Sequence, residues 1–466
     1  MTEPQDISPA SAEPQAQPLE TAWPMGSRIV FRFVFSYLIL LLGSSAAFFA
    51  PLTLPLALVN EVFWGALVQW VANHILLVPP PPLNSDGDGL GHWIQLGCWV
   101  VFAALATLIW SVADRRRNNY ARLSIWLWVI IRYALGIAML TYGLAKVFHL
   151  QMLPPHLAKL VQPHGDSSPT SLLWILMGSS AAYSAFTGAA EMLGGVLLFN
   201  RRTTTLGALI SLGAMGPVVA MNLSYDVSVK IWSLNLLALA VVLIVPDLRR
   251  LVHVLVRNLA STPVEFSPLF RRPRTNRIAF RIGMICLAIT LGFRVVAMLN
   301  GRGQAFNRTP VALYGIYEVE SFTFNGALLP PLLTDAKRWR RVVIERSGLA
   351  SIRLMNDVVV DYLTSVDTTN STVMFVANPD TTVTTAGATR LAYNPRLIEI
   401  RFEQALEANP AVGLRLEFSR PATDRLALRG PWEGDSIDVE LRRVDETEFL
   451  LLNRGFHWIQ PYPYFR

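Results

Sequence analysis

Charge is what this chain has least of. Only 16% of its 466 residues are Asp, Glu, Lys or Arg, while 52% are apolar, and the mean hydropathy is +0.37. A set of ordinary soluble domains, at roughly 25% charged residues, is excluded. Cysteine is scarce too: the two, Cys98 and Cys286, lie in separate apolar runs with no Cys-x-x-Cys spacing. Neither a disulfide framework nor a dithiol redox pair can be built from them, so any redox chemistry needs a bound carrier or a partner. Residues 1–27 hold five Pro, four acidic residues and no Lys or Arg. A cleaved signal peptide starts basic, so this stretch reads as a disordered tail and the first apolar run as a retained anchor. The sequence also lacks a nucleophile elbow, a phosphate loop and a haem-attachment motif.

What is present in quantity is hydrophobic runs of membrane-spanning length. They fill residues 28–299, at Phe33–Ala50, Trp93–Val112, Ser124–Ala145, Ser171–Phe199, Thr203–Met221, Val229–Val245 and Ile278–Leu299. The expected fold is therefore a multi-pass α-helical membrane protein of about seven transmembrane helices. In the last run Arg281 and Arg294 must both snorkel toward the interfaces, which leaves a six-span arrangement as the alternative. Residues 1–309 carry 23 Lys+Arg against 13 Asp+Glu, and residues 310–466 carry 17 against 20. The basic excess belongs to the membrane half, where it reports topology and not a nucleic-acid partner.

With the N-terminus inside, the inner segments hold 16 arginines, Arg28 and Arg32 through Arg115–Arg122 and Arg201–Arg202 to Arg249–Arg281. The outer loops hold three lysines, Lys146, Lys159 and Lys230. The asymmetry predicts a bacterial inner-membrane protein with its N-terminus inside and its C-terminal domain outside, in the periplasm. Leu56–Val78 is apolar as well, but counting it as a span would misplace a basic cluster, so an outer interfacial helix is expected, with Trp64, Trp70 and Trp93 at headgroup level. Asp86-Gly87-Asp88-Gly89 lacks the remaining ligands of a calcium loop and reads as a plain turn.

After a linker at 300–309, residues 310–466 switch to period-two alternation punctuated by turn signals: Tyr314–Phe324, Arg340–Glu345, Ser351–Leu354, Thr372–Val376, Leu414–Phe418, Ser436–Arg442 and Glu448–Leu452. Short strands without helical crossovers point to a soluble, all-β, antiparallel and barrel-like domain. Its opening, Gly315-Ile316-Tyr317, is similar to the start of lipocalin-type barrels. Both a ligand cavity and a packed barrel without one are consistent with this pattern.

Ionisable residues in hydrocarbon need a reason. Arg132 in the third run and Glu191 in the fourth lie at matching depths of roughly 12 and 13.5 Å from the inner ends. They read as an interhelical pair, either fixing helix register or handling a proton or a quinone. At the outer ends, Tyr142, Lys146 and His149 leave the third run, and Asp226 and Lys230 join the fifth to the sixth. A partly desolvated lysine there can act as a base or anion anchor, or simply snorkel. Six of the seven histidines, all but His253, fall outside, but at no compact ligand spacing, so loop or packing roles are expected and no metal site.

The stretch from about Ser124 to Pro246 resembles the DoxX-like membrane family. The likeness is carried by Tyr142-Gly143-Leu144-Ala145-Lys146-Val147-Phe148, by Gly188-Ala189-Ala190-Glu191-Met192-Leu193-Gly194-Gly195, and by Asn222-Leu223-Ser224-Tyr225-Asp226-Val227-Ser228-Val229-Lys230. The ending Asn453-Arg454-Gly455-Phe456-His457-Trp458-Ile459-Gln460 is similar to that of bacterial relatives in which the same membrane region is fused to the same β domain. The resemblance implies a DoxX-like helical bundle at about 124–246 and a membrane subunit of a quinone- or redox-linked complex with a redox protein partner. On that reading Arg132, Glu191 and Lys146 would be the catalytic candidates, and Tyr142, His149, Asp226 and Lys230 would contact substrate. No cofactor motif is evident, and quinone is the one cofactor the resemblance implies. The alternative is a membrane-anchored binding or transport module whose outer β domain captures a small apolar ligand or a protein partner.

Overall fold

The computed structural model describes residues 22–44, 54–79, 88–261, 268–307, 309–378, 394–408 and 413–460. The first 21 residues and half of the Asp86–Gly89 turn, Asp86 and Gly87, therefore lie outside the described residues. The helices are α1 (Met25–Ser44), α2 (Leu54–Val71), α3 (Leu90–Ala113), α4 (Ala121–Val147), α5 (Leu157–Leu160), α6 (Pro169–Gly178), α7 (Ala181–Leu198), α8 (Thr204–Ser224), α9 (Lys230–Ile244), α10 (Leu248–Leu251), α11 (Pro273–Arg302), α12 (Pro395–Ala408) and α13 (Leu450–Asn453). Among the described residues, seven helical segments are long and apolar enough to cross a membrane: Met25–Ser44, Leu90–Ala113, Ala121–Val147, Ala181–Leu198, Thr204–Ser224, Lys230–Val256 and Pro273–Asn307. The multi-pass fold and its number of spans are as expected, the arginine-bearing last span included.

The expected fourth span, Ser171–Phe199, is in fact two helices. Ser168 caps α6 by accepting from the Ser171 N–H, with Pro169 in the first turn, and Ser180 caps α7 by accepting from the Tyr183 N–H. Two N-cap serines twelve residues apart start two helices where hydropathy sees one run. The break is locked at Gly178, where a Cβ would stand 2.2 Å from the Leu153 carbonyl oxygen. Only glycine lets these backbones touch.

The chain divides into two compact units, Met1–Leu135 with Val245–Cys286, and Gly136–Ile244 with Leu287–Arg466. In the first, Arg32 is buried at 5% exposure. Its guanidinium donates to the Tyr120 hydroxyl at 2.8 Å, the Ser111 hydroxyl at 2.8 Å and the Asp114 carbonyl at 3.1 Å. An arginine counted as a topology marker thus also ties α1 to the end of α3. Leu54–Leu76 is helical, finishing in a π turn at Ala72–Leu76. Trp64, Val68 and Ala72 are buried, and the Trp64 ring meets that of Trp99 on α3 edge-on at 6.1 Å.

The second unit contains α7, α8, α9 and a barrel of strands β1 (Gly315–Phe324), β2 (Ala327–Leu328), β3 (Trp339–Ile344), β4 (Leu349–Leu354), β5 (Val359–Asp367), β6 (Thr372–Ala377), β7 (Gly413–Ala422), β8 (Arg425–Trp432) and β9 (Asp435–Val444). Eight of them run in order β1-β3-β4-β5-β6-β7-β8-β9, every pair antiparallel, and β9 returns to β1 from Ile316↔Val444 to Phe324↔Ile437. Two-residue β2 extends β1 through Asn325-Gly326, both at positive φ as a tight hairpin demands. Closure leaves no long edge strand.

The barrel is filled. Trp432 meets Trp339 at a ring separation of 4.7 Å, Tyr362 at 5.4 Å and Phe375 at 5.6 Å. Inward positions of every long strand join this core, among them Phe322, Val342, Ile352, Leu416 and Val439. Of the two interiors the alternation permitted, the structure has the packed one. Two long strands, β5 and β8, escaped the sequence reading, and Glu448–Leu452 is not a strand but a 3-10 turn followed by α13. The Asp445 carboxylate accepts from the Thr447 N–H and starts that helical turn. Helix α12 interrupts the β6–β7 hairpin without making a crossover and packs Ile398 against Leu363.

Candidate functional site

Helices α4 and α7 meet along a seam of glycine. A Cβ on Gly143 would stand 2.6 Å from the Gly188 carbonyl oxygen, and one on Gly195 would stand 2.9 Å from that of Gly136. Each helix contributes two glycines seven residues apart, so backbones touch along two turns. On the far side of α7, a Cβ on Gly194 would stand 2.7 Å from the Ser211 hydroxyl of α8. The Gly188 to Gly195 motif thus serves two neighbours at once.

That close approach brings Lys146 to Glu191. Lys146 is in the last turn of α4 and Glu191 is three residues beyond Gly188, on the face α7 turns to α4. Their side chains are 5% and 3% exposed, and the ammonium donates to Glu191 Oε1. The second carboxylate oxygen, Oε2, is buried and has no hydrogen-bond partner among the described residues. Ser184, about two turns before Glu191 on α7, donates its hydroxyl to the Lys146 carbonyl at 3.1 Å. Tyr142 lies half-buried within electrostatic reach of Glu191 and of Arg294 on α11.

The pairing of Arg132 with Glu191 is therefore corrected. Glu191 takes Lys146. Residues 132 and 146 differ by 14 positions, nearly four helical turns, so they share nearly one face of α4 but stand about 21 Å apart along it. The register set by the Gly143–Gly188 and Gly136–Gly195 contacts brings Glu191 within reach of Lys146. Arg132 is half-buried on α4 in the stretch that belongs to the first unit.

The other expected residues fall into two places. Asp226 and Lys230 form an ion pair at 2.8 Å across the α8–α9 turn, with Asp226 at a positive φ of 51° and its side chain 88% exposed. The Lys230 ammonium, by hydrogen bond and charge, holds the Asp226 carboxyl below the usual carboxylate range. His149 sits just past α4 with φ 57° and is buried. Its Nε2 is 3.0 Å from the Gly178 carbonyl, and burial pulls the imidazole below its ordinary value, which that hydrogen bond partly offsets. His149 therefore pins the α6–α7 break to the end of α4.

Sequence reasoning missed a third place. Glu345, at the end of β3, is 3% exposed and receives three donors from the segment that follows α4. They are His156 Nδ1 at 2.8 Å, the Leu157 N–H at 3.2 Å and the Ala158 N–H at 2.8 Å. A carboxylate at the first backbone N–H groups of α5 caps it from another domain. Leu157 packs with Ile316 and Val343 beside it. The available signal was the position of Glu345 at the very end of an alternating strand, where an acid would ordinarily face water.

No family model matches the chain, and no solved structure does. Among curated proteins it is similar to the uncharacterized protein YwoB of Bacillus subtilis (strain 168), 28% identical over 128 residues, covering 26% of this chain and 75% of that protein.

Proposed function

We propose that the protein is a membrane subunit of a quinone- or redox-linked complex, in which Lys146 and Glu191 hold a proton at the edge of the helical core. The observation that carries the reading is the spare oxygen of Glu191, buried beside a buried lysine and without a hydrogen-bond partner among the described residues. An ion pair built only to fix register is best served by satisfying every lone pair, because each unsatisfied oxygen costs stability. A carboxylate left with an open acceptor can take a proton from, or return one to, a hydroxyl that reaches it. Quinone and quinol differ by protons as well as electrons, and the resemblance of 124–246 to the DoxX-like family supports the same class. The arginine asymmetry supports a bacterial inner-membrane setting with the barrel on the outer side. Capture of an apolar ligand inside the barrel is the weaker reading, because its aromatic core occupies the space.

The test is purification in mild detergent with quantitation of retained isoprenoid quinone and identification of co-purifying polypeptides. The wild type should keep quinone near one per chain or bring a redox protein with it. Glu191→Gln, nearly isosteric, should lose roughly tenfold in quinone retention. Because it also strips Lys146 of its counter-charge and lowers stability, retention is compared at a temperature where the melting curves show both proteins folded. Equal retention in both, or neither quinone nor a redox protein in the wild type, rejects the proposal.

A further inference from the structure

Beside the barrel junction lies an open cavity of about 600 Å3, within the range of small-ligand sites. Leu172 and Leu176 of α6 form one apolar wall, and Leu450 and Leu451 of α13 form another, with Lys159 and His164 at the polar end. Its depth is fixed by the chain. Tyr225, which also lines it, belongs to the tight turn between α8 and α9, two helices long and apolar enough to span. Such a turn has to sit at a boundary between hydrocarbon and water. Thr170 of α6 donates to the Tyr225 carbonyl at 2.7 Å, so α6 is held at that level too.

We propose that this cavity binds an anionic phospholipid, with its phosphate at Lys159 and the upper acyl chains along Leu172, Leu176, Leu450 and Leu451. The apolar walls are exposed: Leu176 is 65% accessible, Leu450 43% and Leu451 44%. In water such a surface is costly, whereas at headgroup depth acyl chains cover it. Among the described residues, Lys159 spends one of its three donors on Gln162 Oε1 at 2.7 Å, which leaves two. Burial works against its charge and Asp361 supports it, so a phosphate would complete the set of groups facing it. Beyond α13 the chain continues with Phe456, Trp458 and Ile459, 78%, 91% and 86% exposed, the composition of an interfacial belt. A phosphate ester is the anion that comes attached to acyl chains at this depth. This inference is independent of the proton reading above.

The experiment is native mass spectrometry of the full chain, delipidated in mild detergent and titrated separately with dioleoylphosphatidylglycerol, dioleoylphosphatidylcholine, inorganic phosphate and a short-chain ubiquinone. Phosphatidylglycerol should bind at one per chain and roughly fivefold more tightly than phosphatidylcholine, the preference expected of one lysine at an anionic interface. Lys159→Gln should abolish that preference and Lys159→Arg should keep it. Leu451→Asp should weaken both lipids, and Glu191→Gln should change neither. The proposal is overturned by equal binding of the two lipids to the wild type, or by an unchanged preference in Lys159→Gln. Displacement of the lipid by inorganic phosphate alone would make this a site for a free anion, and displacement by the ubiquinone a quinone pocket; either also overturns it. Melting curves of each variant confirm that a loss is not a loss of fold.

Discussion

The helical core and the barrel both bury charge, but they neutralise it differently. In the barrel, Arg338 is 4% exposed and its guanidinium forms no ion pair among the described residues: it donates to the carbonyls of Leu329 and Trp339, each at 3.1 Å, and to the Met355 sulfur at 3.3 Å, while the nearby Asp335 carboxylate accepts from the Arg338 backbone N–H at 3.0 Å. In the helical core, Lys146 is equally buried and finds a full opposite charge in Glu191. The difference follows from the backbone. A spanning helix uses nearly all its carbonyls internally and has few to lend, so a buried cation there needs another side chain. The loops at a barrel rim keep free carbonyls that can surround a guanidinium. A side-chain pair can exchange a proton, whereas a guanidinium ringed by carbonyls has none to give up and no partner to take one. Function is accordingly expected where the pair is.

The largest effect should come from separating that pair. Glu191→Leu or Lys146→Met leaves one uncompensated buried charge and should cost about 3–5 kcal/mol in unfolding measured in micelles. The double variant should lose distinctly less than the sum, since no unpaired charge remains. Strictly additive losses would show that the two residues do not interact, and the contrast with Arg338 would lose its basis.

The two regions also differ in how far the sequence disclosed them. Seven helical spans and an antiparallel barrel were legible because hydropathy length and period-two alternation depend on one residue and its near neighbours. Lys146 and Glu191 were each visible as costly residues, yet their partnership was not. It depends on the register in which the glycines at 136 and 143 set α4 along α7, information spread over 60 residues. Hydropathy also fused α6 with α7, because Ser179-Ser180 is too short a polar signal to interrupt a 29-residue run. Strand β8 was hidden by Gly430-Pro431, which reads as a turn; Gly430 adopts φ 145°, and Pro431 still pairs with Ser436. Glu345 was passed over because its partners lie nearly 190 positions away.

A middle-sized effect belongs to the barrel and sharpens the same comparison with a neutral group. Burial, with the charge of Glu433 adding to it, pushes the Tyr362 phenol up to about 12. The fold thus prefers the protonated form. Below pH ~10, the ordinary value for tyrosine, this contributes its full stabilisation; between there and about 12 the unfolded chain ionises first and stability falls as pH rises. The loss from Tyr362 should reach at most about 3 kcal/mol. Urea titrations of the full chain, followed by near-ultraviolet circular dichroism of the barrel aromatics, should show the decline. Tyr362→Phe should make it shallower without removing it, because Tyr314 and Tyr317 are raised by burial as well. An unchanged slope in Tyr362→Phe would mean that the ring is wetter than its 5% exposure implies.

The smallest effect is expected at Asp226 and Lys230, although both stand in a motif as dense as the one around Glu191. Their contact is as short as a buried pair, but the Asp226 side chain is 88% exposed, so water competes for the carboxylate and salt screens the attraction. Asp226→Asn keeps a residue that tolerates the left-handed backbone at φ 51° and removes only the charge. Its melting temperature should match that of the wild type at neutral pH. The Lys230 ammonium depresses the Asp226 carboxyl, so the small stabilisation it gives is present above the ordinary carboxylate value and is lost as pH falls through the depressed one. A melting difference at pH 7 would show that this turn is packed against something beyond its own ion pair. An unchanged melt together with reduced quinone retention in Asp226→Asn would separate the two charged pairs by role, with the buried one holding the core and the exposed one meeting the ligand.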